Sequence, residues 1–559
     1  MNSTVSAPSS SVIVNPSSLE DWQSLVREQR ETIAAQSKMI EAQSKMIEAL
    51  EAKLKRQDER IEQLESEIKA HKKLKGKPNL SASKLNSSDE PLPNRTGSKG
   101  SKRHPKQNLK IDEERLIQPD EIPAQSKLNG YRTYDVQELV LRSHTIRFRL
   151  AEYVTLSGEL VVGKLPVEYQ GGHYGPQLVA YILYQYYQCR VTQPLIYEHL
   201  RELSIEISTG QISRILTEGA AQFIQEQSEV LQVGLATSIY IHTDDTGARH
   251  QGKNGYCTVI GNDWFTYFKS SESKSRRNFL EMLQGETVRY VLNDFAREYL
   301  MHHPIPEKYQ QWLQFSDVVL ALTQADWERY LLDQGIVRKK VVQVMTESAL
   351  LGGILSEPLS SPLRILSDGA RQFNIMIHGL CWVHAERAVR RLQAETENQR
   401  QNLDEVQSLL WGYYRQLKDY QQTPRPGMRL PLTEAFDSLF GRCYLNHDDL
   451  NKVLNQFTMH KTELLQSLNC PEFPLHNNAA EQDIREYVTR RKISGGTRSD
   501  AGRKARDTLI GLKKTCRKLG ISFWQFLLSR LRKDDHIPSL SEVIRAKSTA
   551  ALQIAPAVI

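Results

Sequence analysis

The stretch SIYIHTDDTGAR, residues 238–249, decides the fold. It is a β-branched, apolar run that closes on two acids, Asp244 and Asp245. The segment that follows, NGYCTVIGNDWFTYFKS (254–270), reads as two strands around a Gly-Asn-Asp turn, a hairpin signal. SRRNFLEML (275–283) then reads as a short helix. Further on, PLRILSDGARQFN (362–374) is an apolar strand that ends on Asp368. A lone Asp at a strand end is as readily an Asx-turn or a helix cap. Two of them, each after a buried-looking strand, point to a site, because the carboxyl ends of strands carry the chemistry of α/β folds.

A third acid sits in LHNNAAEQDIREYVTRRKISGGTRSDAGRKARDTLIGLKKTCRKLG, 475–520. Asn477 or Asn478 can cap a helix there, which places Glu481 in its first turns. Arg485 lies four residues on, so a helix-stabilising Glu481–Arg485 pair is the plain reading of that spacing. The segment is dense in Arg and Lys, including Arg490, Arg491, Lys492, Arg498, Arg503 and Lys504, and few acids offset them. Such a run beside an acidic site suits a phosphate backbone. The chemistry that would use this combination is two-metal phosphoryl transfer. Two divalent ions about 3.5–4 Å apart activate an attacking oxygen and stabilise a leaving one. Mg²⁺ takes hard carboxylate oxygens, and three separated acids can bridge and flank two such ions.

Working towards the amino terminus, 174–188 (YGPQLVAYILYQYYQ) is an apolar helix, and TQPLIYEHLREL (192–203) is a second with Thr192 as its cap. TGQISRILTEGAAQFIQEQ (209–227) is a third, capped by Ser208 or Thr209. Two short helices joined by a tight turn suit a helix-turn-helix, and a small helical bundle without DNA shows the same pattern. Before them, VQELVLRSHTIRFRLAEYV (136–154) and ELVVGKLPVEY (159–169) alternate apolar and polar residues, which predicts a small β module over 119–172. Residues 74–118 are rich in Ser, Lys, Pro, Gly and Asn and read as a flexible basic linker, either a tether or an arm that tracks phosphates. From 19 to 73 aliphatic residues recur every seven positions, at Leu19, Val26, Ile33, Ile40, Ile47, Leu54, Ile61 and Ile68. The seam three residues later is partly Gln, and AQSKMIE repeats in tandem at 35–41 and 42–48. A coiled coil that joins copies of the chain is the expectation, with a solvated single helix as the alternative.

The 559 residues exceed one core and imply three or four units. Hydrophobic content of 39% and charged content of 25% are those of an ordinary soluble chain, and a net charge of +7 is a mild basic bias. The six cysteines are scattered with no CxxC pair, which argues against a disulfide scaffold or a four-cysteine zinc site. No signal peptide or membrane-length apolar run is apparent, so a cytoplasmic, nucleoid-associated protein with no membrane partner is expected.

These motifs together resemble the transposases of the bacterial insertion sequence 66 family. The resemblance rests on HTDDTGAR (242–249), LSDGARQF (366–373), CWVHAERAVRRL (381–392) and HNNAAEQDIREYVTRRKISGG (476–496), with YGPQLVAYILY and ISTGQISRIL upstream. It implies a DDE-type catalytic core on a ribonuclease H-like fold, acting on DNA. Residue by residue, it assigns Asp244, Asp368 and Glu481 as the catalytic and metal-holding acids, binding two Mg²⁺ (or Mn²⁺). Asp245 competes with Asp244 for the first role. Cys381, Trp382 and His384 match a motif open to either packing or phosphate contact, so His384, Arg387 and Asp245 are auxiliary candidates. Arg485, Arg490, Arg491, Lys492, Arg498, Arg503 and Lys504 are expected to contact DNA. The family's cysteine-based zinc module is missing, since no cysteine precedes Cys189, so zinc is not expected and the β module stands in its place.

The fold class read from the chain is thus multidomain α/β. It comprises an N-terminal coiled coil (19–73), the linker, the small β module and a helix-turn-helix-like domain (173–235). A ribonuclease H-like core follows (236–500) with a helical insertion near 300–350, and then a basic C-terminal helical region (501–559). The expected partners are element ends, target DNA, a second copy of the chain and accessory transposition proteins. Two other functions stay open at this point: a catalytically inactive, transposase-derived sequence-specific DNA-binding protein, and a coiled-coil scaffold with no DNA role.

Overall fold

The computed structural model describes most of residues 23–41, and 111–121, 126–310, 322–356, 363–534 and 536–554. The chain divides into two units, 1–91 and 92–559. In the first, the described positions between 23 and 41 are helical and exposed, Val26 and Ile33 among them. The rest of the predicted coiled coil, and the linker as far as residue 110, lie outside the described residues.

The centre of the second unit is a five-stranded mixed sheet. Its strands are β3 (Tyr240–His250), β4 (Lys253–Gly261), β5 (Thr266–Ser271), β6 (Arg364–Ser367) and β7 (Ile377–Leu380), in the order β5-β4-β3-β6-β7. The first three form an antiparallel meander, and β6 and β7 run parallel to β3. Ile241, Val259, Ile260, Phe268 and Ile365 are buried in the core. Antiparallel hairpins close with tight turns, whereas a parallel return needs a crossover. Here the crossover from β5 to β6 runs through helices α1 (Arg276–Gln284), α2 (Asp294–His302), α3 (Gln324–Asp333) and α4 (Lys339–Leu355); α3 and most of α4 fall in the stretch 300–350 read as a helical insertion.

Two more helical layers flank the sheet. Upstream, Pro176–Tyr187 and Gln193–Glu202 form as the sequence reads, whereas the single helix read over 209–227 is broken by a 3-10 turn at Glu218–Ala220 into Thr209–Thr217 and Ala221–Thr237, with Ser208 accepting a cap bond from the Gln211 amide at 3.1 Å. Downstream, α5 (Trp382–Arg390) follows β7, and α6 (Asn478–Ser494) and α7 (Asp500–Leu519) lie against the sheet. Helix α7, placed by its charge in a separate C-terminal region, in fact docks on β5. Asp507 accepts from the Ser270 amide at 2.7 Å and the Thr515 hydroxyl accepts from the Thr266 amide at 3.0 Å.

The strand module is corrected. Among the described residues of the segment 119–172, only Glu152–Val154 (β1) and Leu160–Val162 (β2) form strands, a short antiparallel hairpin. Residues 126–150 carry no regular structure, and Leu139, Val140, Ile146 and Phe148 are exposed. Alternation marks residues able to line a strand, but a strand also needs an edge that takes up its N–H and C=O groups. The described residues supply none for 126–150.

Candidate active site

Strand β3 carries the first two acids, but not at its end. The sequence reading stopped the strand at Asp244–Asp245, whereas the strand runs on to His250, because β4 pairs with it from His242↔Gly261 to His250↔Lys253. The parallel partner is shorter: β6 pairs with β3 only from Tyr240↔Arg364 to His242↔Leu366. Carrying that register two residues further sets Asp244 beside Asp368, at the point where the two strands part. The expectation of acids at a carboxyl end thus holds for β6, which stops at Ser367. Asp368 then turns the chain. Its Oδ1 accepts from the Ala370 amide at 3.0 Å, an Asx-turn, around Gly369 at φ +95°, a backbone angle that favours glycine.

The third acid is brought in by α6. Asn477 stands at its N-cap, yet its side chain caps nothing. Its amide instead donates to the Thr243 carbonyl of β3 at 2.8 Å, while its own N–H donates to Cys381 Sγ at 3.1 Å. The Trp382 amide donates to the Leu475 carbonyl at 2.9 Å and its indole N–H to the Leu464 carbonyl at 2.9 Å. Cys381 and Trp382 are buried. Of the two roles open to the Cys-Trp pair, the structure shows packing: it holds the loop that leads into α6 against β3. Glu481 follows in the first turn of α6.

The opposite side of α6 is fixed by an ion cluster the sequence reading missed. Asp483, buried, accepts from the Thr266 hydroxyl at 2.9 Å and pairs with Lys514 at 2.9 Å and Lys518 at 2.6 Å, with His242 Nε2 3.4 Å away. Burial alone would raise this carboxyl. The His242 contact and the Lys518 and Lys514 charges instead hold it far below the ordinary range. His242 and Asp244 lie on one face of β3, since strand side chains alternate. A second cluster joins Glu486 of α6 to Arg190 at 2.9 Å and Lys513 at 2.6 Å. The signal was present as acids two and five residues after Glu481 with lysines across α7, but one sequence does not say which charges meet.

The surroundings of Asp244 disfavour its ionised form. Burial pushes the Asp244 carboxyl up to about 7; a hydrogen bond from the Asp245 amide (2.7 Å) opposes this, and the negative charges of Asp368, Asp245 and Glu481 add to the rise. A buried carboxylate with other acids around it is one whose ionised form a cation would stabilise. Asp245 points to the other face of β3 and is already matched. It forms a short ion pair with Lys274, and its Oδ2 accepts from the Gln372 amide at 2.6 Å. Glu481 is held by Arg387 at 3.0 Å and Arg485 at 3.3 Å, with His384 Nε2 3.9 Å away. Burial, then the Arg387 charge, lowers the His384 pKa and favours the neutral ring. Among the described residues no group of three or more His, Cys, Asp or Glu stands arranged to hold a metal ion. Glu481 is engaged instead by Arg387 and Arg485. Hard carboxylate oxygens on separate elements, the Asp244 carboxyl raised chiefly by burial, fit Mg²⁺ or Mn²⁺ and not a thiolate-binding metal.

The expected DNA-contacting cations separate into groups. Arg485, Lys492, Arg498 and Lys504 are exposed, although Lys504 pairs with Glu286 at 2.9 Å. Arg491 reaches the Thr246 hydroxyl at 3.5 Å, and Arg503 pairs with Asp500 at 2.8 Å. Arg490 is the correction: it is 1% exposed and its guanidinium stacks 3.5 Å from the Tyr186 ring centroid. Its position on α6 faces the upstream helices, so it packs where the sequence reading had it meet a phosphate. Lys513, Lys514 and Lys518 likewise face internal acids, so the run 485–518 is less free charge than its composition suggests.

The sequence profile described as Transposase IS66 family matches residues 171–302 and 365–505. The gap falls on α3 and α4 of the insertion, and the matched parts hold all three acids. A protein of Sinorhizobium fredii (strain NBRC 101917 / NGR234), named uncharacterized protein y4jO, is 40% identical over 322 residues, covering 57% of this chain and all of that protein. No solved structure matches the chain. The chain belongs to the IS66 family of transposases.

Proposed function

We propose that the chain is a DNA transposase whose strand cleavage and strand transfer run on Asp244, Asp368 and Glu481. The observation that carries this reading is that β3, the end of β6 and the first turn of α6 each supply one acid, with the Asn477–Thr243 hydrogen bond tying α6 to β3. The sheet order, an antiparallel meander followed by two parallel strands, supports a ribonuclease H-like core. Helices Gln193–Glu202 and Thr209–Thr217 suit a helix-turn-helix that reads the element ends.

In this reading Asp244, Asp368 and Glu481 would hold two divalent cations, Mg²⁺ or Mn²⁺. When bound, such a pair activates an attacking oxygen and stabilises the leaving one. The chain's own residues do the rest. Asn477 and the Cys381–Trp382 pair fix the start of α6, which carries Glu481, against β3, which carries Asp244. Arg387 and Arg485 orient Glu481, and the exposed Lys492 and Arg498 hold the phosphate backbone. Water attacks the phosphorus at an element end, the P–O3′ bond breaks, and a 3′ hydroxyl is freed. That hydroxyl then attacks a target phosphate and displaces its 3′ oxygen, leaving the number of phosphodiester bonds unchanged. Zinc has no place in this account. Pairing of copies through 19–73 and help from accessory proteins belong to the same proposal.

The test is strand cleavage and joining by purified protein on its element-end DNA with Mg²⁺. Wild type should cut, and Asp244→Ala, Asp368→Ala and Glu481→Ala should each fail to cut while still binding the end. Full activity in all three variants would overturn the mechanism. Specific end binding with no metal-dependent cleavage by wild type would select the inactive, DNA-binding alternative.

A further inference from the structure

A cavity of about 260 Å³ opens beside Asp368, between the start of α5 and the helix Asp448–Met459. Its floor is apolar, made of Leu380, Phe457 and Leu464. Its polar lining is made mainly of amides and imidazoles, from Asn374, His378, His384, Gln456 and His460. His384 Nδ1 is buried and has no hydrogen-bond partner among the described residues. No Lys or Arg lines the space, and its single fixed charge is the acid Asp368 itself. Ala385 and Ala388 of α5 leave it room.

That composition gives a phosphate nothing to bind within the cavity, since no Lys or Arg lines it; the phosphate belongs at the acid set beside it, with the cations proposed there. The composition also gives little to an aliphatic ligand, which would strand the amide and imidazole groups. What it suits is a flat, uncharged heterocycle with donors and acceptors on its edge and an apolar face to lay on Phe457. Within DNA only the base has that chemistry. Asp368 belongs both to the acid set and to the cavity wall. A phosphate held at the acids would therefore bring the base of its own nucleotide, or of the next one, to the cavity mouth.

We propose that this cavity takes a single nucleobase, unstacked from the DNA next to the cleaved phosphate. The inference rests on the transposase reading above. Extruding a base from a duplex costs a few kcal/mol, and least where the base is already unpaired, so the pocket selects DNA whose end opens easily and fixes the phosphate's register over the acids. Asn374, Gln456 and His460 then read the base edge, and Phe457 supplies the stacking surface.

The test places 2-aminopurine, one position at a time, within three nucleotides either side of the cleaved phosphate in an element-end duplex. Fluorescence is followed on binding to the full chain. The result expected is a several-fold rise at one position only, from an unstacked base. Ala388→Trp, which fills the cavity from α5, should abolish that rise and slow cleavage on the order of tenfold. An abasic nucleotide at the responsive position should restore its cleavage to near the wild-type rate. Because a tryptophan could disturb α5, Gln456→Ala on the exposed rim is the second probe, expected to reduce the rise while the melting temperature holds. The pocket assignment is overturned if wild type cleaves while every position stays quenched, or if Ala388→Trp retains both the rise and the rate. In those outcomes the transposase reading survives. Absence of any end cleavage by wild type overturns both.

Discussion

The side-chain amide of Asn477 donates to the backbone carbonyl of Thr243 across 2.8 Å, joining the helix that bears Glu481 to the strand that bears Asp244. Both groups are buried, so neither has water as an alternative partner. Asn477→Ala should leave the Thr243 carbonyl unsatisfied, at a cost of about 1–3 kcal/mol. A larger effect is expected on catalysis, because a shift of about 1 Å at the acids can cost on the order of a hundredfold in rate. Thermal melting and single-turnover cleavage, measured side by side, check this. Equal cleavage rates in Asn477→Ala and wild type would show that the link does not position the acids.

Asp245 stands next to Asp244 in sequence but across the sheet in space, and its partners are Lys274 and Gln372. Gln372 follows Asp368 by four residues, so Asp245 tethers the loop that carries the second acid. Asp245→Asn keeps an oxygen for the Gln372 amide and should retain much of the activity, with the same Mg²⁺ concentration at half-maximal rate. Asp245→Ala should lose more. Asp244→Asn should abolish cleavage. If Asp245→Asn and Asp244→Asn were equally dead, the assignment of the two neighbours would have to be exchanged or shared.

Acid should loosen α6 before it disturbs the sheet. Burial would raise the Glu486 carboxyl, but Arg190 and Lys513 pull it from 4.5 down to about 2. A depressed folded pKa means stability that is present above the unfolded value and is lost as pH falls from about 4.5 towards 2, worth roughly 3 kcal/mol at most. Asp483 acts in the same direction. Asp507 acts in the other: burial pushes it up to about 6, so its contribution is full below 3.8 and fades as pH rises through 6. Melting temperature against pH for wild type and Glu486→Gln tests this, with the variant predicted to show a shallower loss between pH 4.5 and 2. Parallel curves would contradict it.

The basic residues should divide by burial. Lys492→Ala and Arg498→Ala, both at exposed positions, should weaken DNA binding and each lower the slope of log K against log salt by about 1. Arg490→Ala should lower the melting temperature through lost stacking on Tyr186, with the salt slope of the folded protein unchanged. A reduced slope in Arg490→Ala would place that guanidinium on the DNA after all.

The strands, the hairpin and the capped helices were legible because their signals are local: β-branched runs, a Gly-Asn-Asp turn, Ser208 before a periodic run. The identities of Asp244, Asp368 and Glu481 came from motif resemblance added to strand context. What could not be read is what depends on pairing between distant residues. The end of β3 is set by β4, so Asp244 lies inside a strand that looked finished. The alternating segment 136–150 finds no edge among the described residues and stays irregular. The side chain of Asn477 reads as a cap and serves β3 instead. Arg490 reads as surface charge and is stacked inside, because helix periodicity alone does not say which neighbour covers which face.

The central claim is that Asp244, Asp368 and Glu481 jointly hold the cations that drive strand cleavage. Counting bound Mn²⁺ by electron paramagnetic resonance, on the full chain with end DNA, tests it most directly. Two ions per chain are predicted for wild type, with loss of at least one in each of Asp244→Asn, Asp368→Asn and Glu481→Gln while DNA stays bound. The same Mn²⁺ count in wild type and all three variants would contradict it.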